Sequence, residues 1–468
     1  MLVLLIGLLI FITGFVLYSK IAPRMFIQYH SPTPAIEKED GIDYVPLRPW
    51  KNYMIQLLNI AGTGPIFGAL MGAKWGPIVF LWIIFGTILG GAVQDYMAGM
   101  MSVRENGSSI TKIITKHMGG WTRYIVLFVV VFLMIMVSAT FARSASDLLV
   151  LITGLPIWVW MGIILAYFML STLLPIDKVI GKFYPVFGIL LITMAVTVIG
   201  GLFLEGYTMP GFSIENQHPT GMEYLPDMFI TVACGAISGF HATQCPMVSR
   251  CLSNEREGFT VFYGAMVMEA VIALIWAVAA LSFYGNTTSL AGALDAGGPS
   301  TVIHEIATTV AGPIGGIMAI IGVIVCPITS GDTAVRAARL MIEDDRNIDH
   351  RDKKISVIIV SVMMIFIVML CLIDFSALWN YFSWLNQTLA TVVLWTATVF
   401  IIKVLNKKWY SLITALPALF MTTIVTSFIL HSKLGLSLDY NLSIIIGVVI
   451  SVLAFVLYLR TLVNAKES

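Results

Sequence analysis

Apolar residues run along this 468-residue chain in long blocks, with the polar residues gathered into short intervals between them. About thirteen blocks approach or exceed the roughly 18 to 20 residues that cross a bilayer as a helix. They lie near 2–19, 54–72, 76–101, 123–150, 155–174, 183–204, 226–249, 259–284, 311–341, 355–373, 376–402, 409–430 and 441–460. The pattern predicts an all-α polytopic membrane protein, with the lipid bilayer as its first partner. The opening block reads as a retained span, because it lacks a basic leading segment and a small-residue cleavage site.

Two blocks are interrupted. Gly62-Thr63-Gly64-Pro65 breaks the second, and the run from Ser238 through His241 to Pro246 breaks the seventh. Glycine and proline free backbone carbonyls and amides, which hydrocarbon does not tolerate unless protein, ligand or water satisfies them. Paired breaks in corresponding halves of a chain point to a substrate site near the membrane midplane.

Basic residues set the expected orientation, because Lys and Arg of short loops stay on the cytoplasmic side. One set of alternating loops holds Lys20, Arg24, Arg104, Lys112, Lys178, Arg250, Arg336 through Lys354, and Lys403 through Lys408; the other carries little beyond Lys74 and Lys433. The expectation is an external amino terminus and a cytoplasmic carboxyl terminus. Spans two and seven, five apart, then enter from opposite sides, as in an inverted five-plus-five repeat. The repeats are expected over 51–204 and 205–403, with 1–50 and 404–468 peripheral.

Composition narrows the function. Hydrophobic residues make up 58% and charged residues 11%, and the mean hydropathy of +0.91 exceeds what a soluble core could hide. A net charge of +1 leaves no basic domain to neutralise phosphates, which argues against nucleic acid. The five cysteines show no metal spacing, and no cofactor is expected. Neither an HExxH motif nor a GxSxG elbow suggests an intramembrane enzyme. A carrier fits the broken helices; a channel or sensor would not require them.

Within the breaks, amides of Gly62, Thr63 and Gly64 at a half-helix amino end suit a substrate carboxylate, although glycines there also permit close helix packing. His241, with Thr243 and Gln244, is the candidate for the substrate's other polar end or for carrying a proton. Asp95, near Gln94, and Glu269 are ionisable groups inside spans and therefore relay candidates. Arg143 and Asp147, four apart, read as a structural pair. Trp384, Asn386 and Gln387 are candidates for an outer gate.

The strings Asn59 to Gly68, Gly91 to Asp95, Asp177 to Pro185, Ser238 to Gln244 and Pro327 to Ala334 resemble the carbon starvation protein A family, in matching order from about Tyr53 to Arg339. The resemblance implies a bacterial inner-membrane carrier linked to peptide uptake and, in some members, to proton-coupled pyruvate uptake. It also implies a leucine-transporter-like fold. In that arrangement hydroxyls such as Thr329, Ser330 and Thr333 help hold sodium against carbonyls around Asn59. Asp332 belongs to the same run, with Arg336 one turn on as a local ion-pair partner. Proton-coupled relatives of the fold use a lysine where Lys182 lies, so the coupling ion is expected to be a proton, alternatively sodium.

Overall fold

The structure is a computed structural model that describes residues 2–26, 32–41, 43–174, 176–348 and 353–464; side chains of 176–185 and 313–315 are outside the description. Ten described helices are long and apolar enough to cross a membrane, or eleven when the bent pair Pro49–Ile60 and Gly64–Trp75 counts as one span. The remaining two of the thirteen expected blocks are the sixteen-residue helix Ile157–Thr172 and a second broken segment, Asp227–Thr231 with Gly239–Ser249. The difference in count is physical: the interrupted block leaves pieces too short to span alone, and Ile157–Thr172 is a continuous helix of 16 residues.

In chain order the elements are α1 (Leu2–Ile21), α2 (Pro49–Ile60), α3 (Gly64–Trp75), α4 (Val79–Arg104), α5 (Ile110–Met118), α6 (Arg123–Thr153) and α7 (Ile157–Thr172). They continue with α8 (Ile176–Leu204), α9 (Asp227–Thr231), α10 (Gly239–Ser249), α11 (Glu255–Tyr284), α12 (Thr287–Val310) and α13 (Gly312–Arg346). The last four are α14 (Lys353–Cys371), α15 (Phe375–Lys403), α16 (Leu412–His431) and α17 (Tyr440–Asn464).

Burial separates core from periphery. Trp276 and most of its α11 neighbours are fully buried, whereas α1 and α17 expose Leu9, Ile12, Leu453 and Leu457 by more than half. Exposed side chains of this kind meet lipid in a chain whose helices span the membrane. The broken helices occupy the centre and lean on α4, α6, α11, α13 and α15. Glycine makes the closest approaches possible. A Cβ on Gly91 of α4 would lie 2.2 Å from the Ala236 carbonyl oxygen, and one on Gly64 would lie 2.2 Å from the Cys234 Cβ, where the two breaks touch. Within α4, Trp82–Gly91 is π-helical.

Two features escaped the hydropathy pattern. The interval before span nine contains α12, bent where Gly298 adopts φ 72° ahead of Pro299; its polar composition hid it. Residues 33–41 and 43–48, within the segment expected to be peripheral, are fastened across the end of α10. Thr33 Oγ1 donates to the Leu252 carbonyl at 2.5 Å, and Leu47 N donates to the Cys251 carbonyl at 3.0 Å. The Tyr44 ring lies 5.1 Å from the Arg250 guanidinium, which pairs with Asp344 at the end of α13 at 3.1 Å.

The far end of α3 is covered by the loop after α8. Trp75 Nε1 donates to the Met222 carbonyl at 3.0 Å, and the His218 ring packs 4.5 Å from the Trp75 ring. Burial, reinforced by the nearby Lys74 charge and opposed by Asp295, pushes the His218 imidazole down to about 4 from 6.5. The fold therefore favours neutral His218, while an unfolded chain gains a proton below 6.5, so stability falls as pH drops from 6.5 toward 4. Thermal unfolding of the detergent-purified protein at stepped pH is expected to show this loss in the wild type and a smaller one in His218→Phe. Superimposable pH profiles would count against it.

Candidate functional site

The second break spans the residues between α9 and α10, and its carbonyls are served by side chains from two other helices. Gln387 Nε2 of α15 donates to the carbonyls of Phe229 and Val232. From α4, Trp82 Nε1 donates to Val232 (3.3 Å), Thr87 Oγ1 to Gly235 (3.3 Å) and Gln94 Nε2 to Ser238. Asn386 Oδ1 accepts from Ser238 Oγ at 3.1 Å and from the Phe240 amide at 2.6 Å. Freed backbone groups in a low dielectric cost several kcal/mol each unless paired, and these four helix-borne side chains, with Asn386, pair them. Asn386 and Gln387, expected at an outer gate, instead hold the second break open.

Directly beyond the break, three ionisable groups meet. His241 Nδ1 lies 3.1 Å from Asp95 Oδ2, and His241 Nε2 lies 3.3 Å from Glu269 Oε2. All three are fully buried, and they come from α10, α4 and α11. The sequence proposed each separately; the structure makes them one carboxylate–imidazole–carboxylate chain. Cys245 Sγ donates to the Asp95 carbonyl at 3.5 Å, and Gln56 Nε2 of α2 lies 3.4 Å from that sulfur. Cys234 flanks His241. With His241 protonated the chain carries one net negative charge, and one further proton neutralises it.

At the first break the Gly62 amide turns back to the Ile60 carbonyl at 2.8 Å and is thus engaged, while Phe67 N donates to the Thr63 carbonyl at 2.7 Å. Gly62 sits beneath Phe141 of α6, where a Cβ would lie 2.3 Å from the ring. Close packing is therefore one function of these glycines. Nearby, Thr63 Oγ1, both polar atoms of Asn59 and Gln244 Oε1 are buried without a hydrogen-bond partner. Thr243 Oγ1 donates to the Phe240 carbonyl at 2.6 Å and accepts from Gln244 Nε2 at 2.9 Å, both side chains facing Met134 of α6. Unpartnered buried amides and hydroxyls are costly unless something binds them.

The α13 run faces the end of α2. Ser330 Oγ and Thr329 Oγ1 donate to the Leu58 carbonyl at 2.8 and 3.4 Å. Thr333 Oγ1 bonds back within its own helix to Thr329 and Ser330. Asp332 Oδ2 accepts from Ser171 Oγ at 2.6 Å and from Tyr167 OH at 3.3 Å, while Arg336 Nη2 donates to the carbonyls of Ser171 and Leu174. Both thus tie α13 to α7, which one-turn spacing along α13 did not reveal. Arg143 and Asp147 pair at 3.3 Å, in line with their spacing. The Lys182 side chain lies outside the described residues.

Two opposed broken helices inside a ring of spanning helices define a secondary-transporter architecture of the leucine-transporter type. Solved structures bear this out at the level of fold. MhsT in complex with L-phenylalanine gives a TM-score of 0.55 at 15% identity over 88% of this chain and 98% of its own. A manganese transporter of Eremococcus coleocola gives 0.55 at 13% identity over 92% and 99%. The sequence pattern described as "Carbon starvation protein CstA" matches residues 1–212, 160–310 and 286–428, so the chain belongs to that family of membrane transporters. An uncharacterized membrane protein of Haemophilus influenzae is 38% identical over 62% of this chain and 92% of its own. The pyruvate/proton symporter BtsT of Escherichia coli is 28% identical over 53% of this chain and 44% of its own. The peptide transporter CstA of Escherichia coli is 26% identical over 53% and 45%, so the aligned region spans less than half the length of either.

Asn386→Ala is expected to orphan the Phe240 amide, to leave Ser238 Oγ only the Cys234 sulfur, and to lower stability by about 2 kcal/mol, the range for exposing buried partners. Thermal unfolding measures it, and an unchanged midpoint would remove Asn386 from its role at the break.

Proposed function

We propose that the chain is a secondary active transporter importing short peptides across the bacterial inner membrane, coupled to protons. It serves nutrient uptake when carbon is scarce. The observation that carries the coupling is the buried chain Asp95, His241 and Glu269. It joins the second broken helix to two neighbouring helices, so its charge state bears on whether they separate. Loading one proton on a carboxylate gives a neutral cluster, whose passage between dry and wet surroundings costs far less than that of a charged one. The substrate carboxylate is assigned to the first break, at the amides of Thr63 and Gly64 beside the turn in which the Gly62 amide is engaged with Ile60, and its other polar end to Thr243 and Gln244. The unpartnered atoms of Asn59, Thr63 and Gln244 supply further polar contacts.

Pyruvate or another small carboxylate is the second reading. It is favoured by the direct contact of Gly64 with Cys234, which brings the two breaks together and suits a small occupant. Sodium is the alternative coupling ion, at Ser330, Thr329 and Thr333. Lys182 remains a candidate proton carrier through its place on α8.

Proteoliposomes in sodium-free buffer with an imposed proton gradient separate these readings. Wild-type protein is expected to accumulate labelled dipeptide, and pyruvate competition tests the alternative. Glu269→Gln keeps the side chain's shape but cannot take up a proton, so gradient-driven accumulation is expected to be lost while substrate counterflow persists. Full accumulation by this variant, or uptake that requires sodium and ignores the proton gradient, would overturn the assignment.

The proposed orientation places the loop before α9 outside and the α13 terminus inside. Gln217 leans on Gly76, so exposed Glu215 is the better outer probe and exposed Asn347 the inner one. All five native cysteines are buried. In intact cells an impermeant thiol reagent is expected to label Glu215→Cys but not Asn347→Cys. The reverse pattern would invert the topology.

A further inference from the structure

Away from the two breaks, a trough of about 620 Å³ runs between α1, the start of α2 and α11. Its walls are apolar, with Phe11 and Phe15 from α1, Tyr53 from α2 and Val267 from α11. One wall residue is charged: Glu257, in the first turn of α11. Glu257 Oε2 is buried and has no hydrogen-bond partner. On α2 the trough is bounded by Trp50, which is 51% exposed. The Lys51 ammonium lies 5.9 Å over the Trp50 ring, and Arg48, two residues before Trp50, is exposed.

The trough is continuous with the lipid-facing surface, because Ile12 of its α1 wall is 62% exposed. Within hydrocarbon an open apolar trough fills with acyl chain rather than water, since water there would find few polar partners. A tryptophan with basic neighbours marks headgroup depth. The unpartnered carboxylate oxygen sets the remaining requirement, a cationic hydrogen-bond donor at the head of an apolar chain.

We propose that this trough is a binding site for an amine-headed phospholipid of the phosphatidylethanolamine type. One acyl chain lies along α11, the ammonium meets Glu257 Oε2, and the basic residues beside Trp50 face the phosphate. The Asn52 side chain serves the Glu257 carboxylate but leaves Oε2 without a donor; a headgroup lacking the amine, such as phosphatidylglycerol, leaves Oε2 so and brings a phosphate toward it with no compensating cation. The lipid so placed touches both α2, half of the first broken helix, and α11, which carries Glu269. It therefore bridges half of the first broken helix and a helix that holds the ionisable chain.

The test needs no transport assay. Protein purified in mild detergent is incubated with equimolar phosphatidylethanolamine and phosphatidylglycerol of matched acyl chains, and retained lipid is read by native mass spectrometry. Wild type is expected to retain phosphatidylethanolamine preferentially, and Glu257→Gln to lower that preference about tenfold, the size of one charge-assisted hydrogen bond. A side chain at Gly264 would enter the trough, its Cβ meeting Phe15, Tyr53 and Thr260 at ordinary contact distances of 3.4, 3.5 and 3.9 Å. Gly264→Leu is therefore expected to displace both lipids while unfolding at the wild-type temperature. Equal retention of the two lipids by wild type overturns the proposal, as does unchanged preference in Glu257→Gln or undiminished binding in a folded Gly264→Leu protein.

Discussion

A broken helix inside a membrane must hand its freed backbone groups to something, and most of the arrangement at the centre of this protein follows from that requirement. The second break meets it with side chains of α4 and α15. Trp82, Thr87 and Gln94 donate to the carbonyls of Val232, Gly235 and Ser238 from one side; from the other, Gln387 donates to those of Phe229 and Val232 and Asn386 accepts from the Phe240 amide. To serve those carbonyls α4 must lie almost against the break, which glycine at position 91 allows. Once it lies there, Asp95, one turn beyond Gly91, faces His241. The ionisable chain is in this sense a by-product of backbone satisfaction, and its third member arrives because α11 packs on the same side.

The architecture was largely legible in the sequence because membrane helices declare themselves by length and composition, and because Gly62 to Pro65 and Ser238 to Pro246 interrupt them visibly. The individual chemistry-bearing residues were legible for a similar reason: Asp95, His241 and Glu269 are conspicuous among apolar neighbours. Their union was not. It joins positions about 150 residues apart, through a contact fixed by tertiary packing that no local spacing encodes. Asn386 and Gln387 were misread for a related reason, since their partners are backbone atoms, which leave no mark in the pattern of side chains. α12 was hidden by its polar composition, because the bilayer criterion detects only helices that face lipid or core along their whole length.

Both ends of the central region are fastened, by different means. On one side, residues 33–41 and 43–48 grip the end of α10 through backbone bonds, a cation–π contact and the Arg250–Asp344 pair. On the other, Trp75 is held under the loop bearing His218, and Phe67, Phe375 and Trp379 form an aromatic cluster. Polar fastenings can be exchanged for water at little net cost, whereas an aromatic cluster loses burial when it opens. The two ends thus resist opening through unlike forces.

The π-helical stretch Trp82–Gly91, longer than those at Gly64–Gly68 and Phe259–Tyr263, gives α4 a tolerance that a regular α-helix lacks. A π turn holds about one residue more than an α turn, so losing one residue there can be absorbed by reversion to α geometry, with everything beyond kept in register. The same loss between Ala92 and Asp95, in regular α-helix, would rotate Asp95 by about 100° relative to the preceding turns and carry its carboxylate away from His241. Length variation in this helix is therefore permitted upstream of Gly91 and forbidden just downstream, a boundary drawn by backbone geometry alone.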